Sequence, residues 1–240
     1  MLSLHPSIKD GCVKHKTILI VFFVTAFFFL SCDNRHESKD ISEGEIHYNI
    51  TYTGNLEVPR MVLPKTLVVY FKQNKILFEM ISVFGNSGIL NLSNPEDKIY
   101  DTYFSLFTLK YYYQASEGEL FPGFDDMEGI EINKTSKKTD ICGFHCKNAE
   151  ITLPYDRNKI INIWYTNDID VKNSNLSTPY KDIEGVLMDF SFFLGETEIH
   201  FVAENVYSKT INDNTFARRD NYQQVSKEEI SKFIEKMTNF

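Results

Sequence analysis

The sequence predicts a mainly β (α+β) domain built on a strongly curved antiparallel sheet or incomplete barrel, with an amphipathic helix at its C-terminus. Aromatic residues are plentiful, with 20 Phe and 13 Tyr, whereas Gly and Pro number only 11 and 7. Apolar and polar residues alternate along many short segments that turn residues separate, which is typical of strands. Only the last segment has helical periodicity, so one helix is expected to pack on or beside the sheet.

The first half of the predicted domain consists of strands joined by short turns. Residues 45–53 alternate apolar and polar side chains cleanly, which is typical of a half-buried strand. Gln73-Asn74 and Asn94-Pro95 lie between apolar runs, so each pair predicts a turn between two strands. The predicted strands of this half are 45–53, 65–72, 75–82, 88–93, 98–104 and the aromatic-rich 106–113.

The second half follows an acidic, glycine-broken loop at 117–131. Its last element is a helix, because Ser226 and Glu229 have the spacing of a capping box. An apolar stripe then recurs at helical spacing at Ile230, Phe233, Ile234 and Met237. The predicted strands of this half are 146–153, 159–166, 185–194 and 197–208, with an irregular polar segment at 167–180.

The first 31 residues have the organisation of a signal peptide. Lys9, Lys14 and Lys16 precede the uncharged run 17–30, and Ser31 is a small residue at the end of this run. The run is shorter than the ~20 residues that a membrane-spanning helix needs. We therefore expect this segment to direct export and to be removed.

The end of this segment, Phe29-Leu30-Ser31-Cys32, resembles the lipobox of bacterial lipoproteins, although Phe29 stands where Leu is usual. The resemblance implies cleavage between Ser31 and Cys32 and acylation of Cys32 by fatty acids such as palmitate. Residues 32–43 would then tether a domain at 44–238 to a bacterial envelope membrane, at the outer membrane or the periplasmic face. The alternative is an ordinary secretory signal with a chance cysteine.

Several short motifs are similar to the GLPGLI-type and LolA-like families of exported bacterial proteins. They are GEIHY at 44–48, ICGFHCKNA at 141–149 and PYKDIEGVLMDF at 179–190. The segment 182–187 corresponds to GLPGLI itself, with Glu184 where Pro is usual. The resemblance implies an unclosed half-barrel whose apolar concave face is covered by helices. In better known relatives this face carries an acyl chain or lipid.

Aromatic and aliphatic side chains in two predicted strand regions are the candidates for such an apolar binding site. Clustered aromatic residues suit both cavities and ordinary cores, so a self-filled core is the alternative. The candidate residues are Phe104, Phe107, Tyr111, Tyr113, Leu187, Phe190 and Phe192.

Two cysteines, Cys142 and Cys146, remain after Cys12 is removed and Cys32 is acylated. A disulfide is permitted in the oxidising envelope. In an extended strand their Cα atoms would lie ~13 Å apart, whereas a bridge needs ~7 Å or less. Only a tight turn at Gly143 would close it. Two separate thiols and a metal site with His145 are the alternatives, and no metal site is predicted.

The chain carries a net charge of −8 and has no basic stripe, which argues against nucleic acid as a partner. No hydrolase, metalloprotease or phosphate-loop motif is present, so neither an enzyme nor a cofactor is predicted. We expect a lipid-anchored envelope protein that binds or carries an apolar ligand such as an acyl chain. The alternative is an envelope interaction or structural lipoprotein with a self-filled core.

Overall fold

The computed structural model describes residues 41–54, 59, 63–85 and 87–238. These residues contain twelve strands and one α-helix, which share a hydrophobic core. Every buried apolar side chain of this part lies between Ile41 and Ile234. The predicted signal peptide, Ser31 and Cys32 lie outside the described residues. The elements are β1 (Glu43–Thr53), β2 (Thr66–Lys72), β3 (Lys75–Ile81), β4 (Ser87–Asn94), β5 (Ile99–Leu106), β6 (Leu109–Gln114), β7 (Glu131–Ile141), β8 (Phe144–Leu153), β9 (Asp156–Thr166), β10 (Val186–Leu194), β11 (Thr197–Ser208), β12 (Gln223–Gln224) and α1 (Lys227–Thr238).

The strands form one open sheet in the order β12-β6-β5-β4-β3-β2-β1-β11-β10-β9-β8-β7. All neighbours are antiparallel except β12, which pairs parallel to β6. The sheet curls at its β7 edge, because Cys142 Sγ in the β7–β8 turn lies 3.2 Å from the carbonyl oxygen of Ala203 on β11. In a flat sheet, β8 and β11 would be roughly 14 Å apart. The predicted mainly β architecture with a C-terminal helix is confirmed.

The two faces of the sheet carry separate apolar clusters. The inner face packs Tyr48, Phe190 and Phe201 against the loops that follow β6 and β9. The outer face of β3–β6 packs beneath the chain that follows β11, with Ile211 and Phe216 buried upon it. Because this segment covers the outer face while the loops cover the inner face, these strands carry apolar residues on both faces.

Three features differ from the sequence prediction. The polar strand β7 was not predicted, because it lies at the edge of the sheet and exposes most of its side chains. The predicted strand 106–113 begins only at Leu109, since Phe107 and Thr108 form the β5–β6 turn. The folded part also begins earlier than residue 44, because Ile41 is buried and bridges to Ile169.

The capping box at the start of α1 is confirmed. The Ser226 hydroxyl accepts a hydrogen bond from the Glu229 amide at 3.2 Å, and Glu229 Oε2 accepts from the Ser226 amide at 2.9 Å. Glu229 Oε2 also accepts from the Ser226 hydroxyl at 2.9 Å, and these two bonds to the carboxylate lower the pKa of Glu229. Their stabilising contribution is therefore present above the ordinary carboxylate pKa and is lost as pH falls through the lowered pKa.

We expect Ser226→Ala to destabilise α1 by about 1 kcal/mol, because the first turn loses its side-chain acceptor. Hydrogen–deuterium exchange of the α1 amides at neutral pH measures this loss directly. Ser231→Ala is the matched control, since it makes the same change inside the helix. Equal exchange in the two variants would contradict the capping role.

Candidate functional site

The candidate site is an apolar cavity of about 70 Å³ between the inner face of the sheet, the loop after β6 and α1. Its polar lining side chains are Asn91 and Thr178. Both have internal hydrogen-bond partners, because Asn91 Oδ1 accepts from Thr102 and the Thr178 hydroxyl donates to the Asn175 carbonyl. The lining residues are Leu67, Phe78, Met80, Ile89, Asn91, Phe121, Pro122, Gly123, Phe124, Thr178, Phe192, Leu194, Ile199, Phe201 and Ile234.

The roof of the cavity depends on a close approach between the loop and α1. Gly123 has φ +91°, and a Cβ atom there would lie 3.1 Å from Cγ2 of Ile234. Phe124, the next residue, stacks on Phe192 with ring centroids 4.2 Å apart. Glycine at this position thus lets the loop and the helix close over the end of β10.

Most of the space beneath the loops is filled by the protein's own side chains. Tyr180 is fully buried, packs against Phe190 and Phe192, and donates its hydroxyl to the carbonyl oxygen of Ser191. Burial raises the pKa of Tyr180 far above its usual range, so the phenol is neutral. The apolar cavity itself, at about 70 Å³, is well below the ~300–1,000 Å³ of pockets that enclose drug-sized ligands.

Six of the seven predicted binding residues divide among three environments. Only Phe192 lines the cavity. Leu187 and Phe190 are buried in the inner core. The other inward-facing aromatic residues pack under α1, where Phe233 stacks on Phe104 at 5.5 Å and on Tyr111 at 4.9 Å. Tyr113 belongs to the same cluster.

Phe107, one of the predicted binding residues, does not line the cavity. Its side chain is 70% exposed, and its backbone has φ +53° at the tip of the β5–β6 hairpin. Phe107 was predicted to lie within the strand 106–113, because no Gly, Asn or Asp marks the turn.

Several cavity residues were not predicted as binding residues. Met80 and Ile89 flank the β3–β4 turn, and Phe124 and Ile234 come from the loop and the helix. Residues 89 and 234 did carry a signal, since both lie on apolar faces of predicted elements. No local pattern indicates that these distant faces meet.

Cys142 and Cys146 are two separate thiols, which was one of the predicted alternatives. No disulfide joins them. The tight turn at Gly143 does form, but Cys142 itself occupies its first position, with φ +53°. Its thiol is directed to the Ala203 carbonyl, whereas the Cys146 thiol is directed to the carbonyl of Phe144. Burial raises the pKa of both thiols, that of Cys146 to about 12.

Alkylation with iodoacetamide at pH 8 is therefore expected to modify Cys142 well before Cys146. Cys142 is exposed, whereas Cys146 is buried and almost fully protonated at this pH. Peptide mass spectrometry of residues 33–240 measures both rates, and a urea-unfolded sample is the control in which both thiols react. Protection of both thiols until a reductant is added would demonstrate a disulfide.

The polar side chains of β10 and β11 do not form an activated nucleophile. His200 Nε2 lies 2.6 Å from Asp189 Oδ1, but the Ser191 hydroxyl donates to Glu198 rather than to His200. Within the described ranges, no group of three or more His, Cys, Asp and Glu side chains is placed to hold a metal ion. Among the same residues, no helix is long and apolar enough to cross a membrane.

The fold and the site define a class: an open, mainly antiparallel β-sheet protein with a small apolar cavity under a C-terminal helix. No protein-family model matches the chain, and no curated protein matches it. Among solved structures, the chain is similar to one described as PNGF-II in a C2 space group, with a TM-score of 0.52 and 16% identity. The similarity covers 82% of this chain but only 33% of that longer chain, and it concerns the fold alone.

Proposed function

We propose that the protein is a lipid-anchored, non-catalytic envelope protein of LolA-like type that binds an apolar chain between α1 and the inner face of the sheet. The observation that carries this proposal is the cavity, which is lined almost entirely by apolar side chains and is roofed by a separate element. At ~25 cal/mol per Å² of apolar surface buried, such a lining favours a hydrocarbon group over a polar one.

The size of the cavity determines what it holds without rearrangement. A cavity of about 70 Å³ holds only a small apolar group, since pockets that enclose drug-sized ligands measure ~300–1,000 Å³. A longer acyl chain needs α1 to move. Among the described side chains of α1, only those of Ile230 and Ile234 are buried. They pack with Phe104 in a separate apolar cluster. We therefore expect the ligand to displace α1 from Phe104.

The second candidate is an interaction protein with a self-filled core. The observation that favours it is the same small volume, and the inner core beside the cavity is filled by buried side chains such as Tyr180 and Phe190. The two candidates differ in ligand uptake, and they share the predicted anchor at Cys32.

Uptake is tested with residues 33–240, the part that contains the whole described core. Native mass spectrometry and organic extraction detect a co-purifying lipid, and a fluorescent fatty acid titrates the empty protein. Leu194→Trp is expected to reduce uptake about tenfold or more, because Leu194 lines the cavity and the indole fills it. Leu194→Ala enlarges the cavity and is expected to retain or increase uptake.

Leu90→Ala is the matched control, because Leu90 is buried in the outer cluster. It should lower stability without changing uptake at temperatures where the protein is folded. A lipid-free mass together with no uptake by the wild type or by Leu194→Ala would overturn the binding proposal and leave the interaction protein.

The anchor is tested separately in a bacterial host that processes lipoproteins. The full chain is expected to partition with membranes and to carry acyl groups on Cys32, whereas Cys32→Ser should be released in soluble form. A soluble, unacylated product from the unmodified sequence would identify an ordinary secretory signal.

A further inference from the structure

Exposed apolar side chains are concentrated at one end of the sheet. Among the described residues, eight large apolar side chains are exposed, and seven of them lie on or beside hairpin tips at the end where β1 finishes. The eighth, Tyr207, lies at the opposite end, paired with Glu45. Five belong to two neighbouring tips, because Ser87 after the β3–β4 tip pairs with Leu106 before the β5–β6 tip. This apolar rim consists of Ile81, Val83, Phe84, Phe107 and Leu109.

The backbone conformation of Phe107 is unfavourable, and packing of its side chain does not offset that energetic cost. Phe107 has φ +53°, a left-handed conformation in which a bulky residue is uncommon and Gly, Asn or Asp is usual. Its ring is 70% exposed, so the side chain contributes little apolar burial in return. Strained backbone with an exposed aromatic ring is typical of a functional contact rather than of a structural one.

The rim is also uncharged, in an acidic protein. Residues 80–94 and 102–109 contain no charged side chain, although the chain carries a net charge of −8. An uncharged tip enters the bilayer interface without the cost of desolvating an ion. Met80 and Ile89, which adjoin the β3–β4 tip, line the cavity, so the rim lies beside the site.

From these observations we infer that the apolar rim is a membrane-contact surface that inserts into the interface of a neutral phospholipid bilayer. Ile41, where the described chain begins, lies at the opposite end of β1 from the rim. The inference goes beyond the proposed function, because rim insertion requires neither a ligand in the cavity nor acylation.

The test is vesicle co-flotation of residues 33–240, which lack the anchor. The protein is expected to bind phosphatidylcholine vesicles with little dependence on salt, and to bind vesicles rich in phosphatidylserine less well because of its negative charge. Phe107→Asn should lower the partition coefficient about tenfold or more, because the bilayer no longer buries an aromatic ring at this position. Its melting temperature should stay the same or rise, because Asn suits the left-handed conformation.

Tyr207→Asn, the same kind of change at the opposite end, should bind vesicles as the wild type does. Leu194→Trp, which fills the cavity, should also bind normally, so a failed ligand proposal is distinguishable from a failed rim proposal. Absence of wild-type binding to neutral vesicles would overturn the inference. Self-association in sedimentation, abolished by Phe107→Asn and unaccompanied by vesicle binding, would also overturn it and assign the rim to contacts between copies.

Discussion

Phe190→Ala is expected to lower the free energy of unfolding by about 3–5 kcal/mol, the range for removing a buried phenyl ring from a packed core. The ring is 1% exposed and lies within aromatic contact of Tyr48, Tyr180, Phe192 and Phe201, at centroid distances of 5.0 to 6.2 Å. Its loss leaves a cavity among rigid neighbours that the sheet cannot close. Urea denaturation followed by circular dichroism measures the change.

Phe84→Ala is the matched control for this prediction. Phe84 is 66% exposed at the β3–β4 tip, so the same substitution should change the free energy of unfolding by no more than about 0.5 kcal/mol. Similar losses in the two variants would show that the aromatic cluster does not form the core. A stable Phe190→Ala protein with increased fatty-acid uptake would instead show that the vacated volume joins the apolar cavity.

Arg218→Ala is expected to cost about 2–3 kcal/mol, because it leaves a buried carboxylate without its cation. Asp101 is fully buried, and Arg218 donates to its two oxygens from Nε at 2.8 Å and from a terminal nitrogen at 3.1 Å. The Tyr103 hydroxyl also donates to Asp101 at 2.7 Å. The Arg218 side chain is 40% exposed, so solvent screening keeps the cost below the ~3–5 kcal/mol of a fully buried pair.

A second substitution separates lost packing from unpaired charge. Adding Asp101→Asn to Arg218→Ala should recover part of the stability, since the buried group is then neutral. Arg157→Ala removes an exposed ion pair to Glu131 and should have almost no effect. Failure of the double variant to recover any stability would mean that Arg218 acts through its aliphatic stem against the outer face.

The secondary structure was predictable wherever the signal is local. Alternation located β1, and the turn pairs located the β2–β3 and β4–β5 connections. The Ser226–Glu229 spacing located the start of α1 to one residue. These features depend on interactions between residues close in sequence. Signal cleavage and acylation at Cys32 remain predictions, because they concern residues outside those that the structure describes.

The candidate site was predictable only in part. Phe192 lines the cavity, whereas Phe104, Tyr111 and Tyr113 pack against α1. The segment 167–180 was correctly predicted as irregular, but its burial was not, since Asn175 and Thr178 are buried. The Thr178 hydroxyl donates to the Asn175 carbonyl, and the Asn175 amide donates to the carbonyls of Ile183 and Gly185. A polar sequence indicates a surface loop, and here the surrounding sheet covers it.

The sequence by itself determined the class of fold, the positions of most strands along the chain and the helix with its cap, because side-chain periodicity and turn chemistry act over a few residues. Only the tertiary structure decided that β7 completes the sheet, that Phe107 leaves it and that α1 closes over Gly123. The closure of α1 over Gly123 brings together residues more than a hundred positions apart in the chain. The free energy of such contacts depends on shape and packing, which no local pattern of residues encodes.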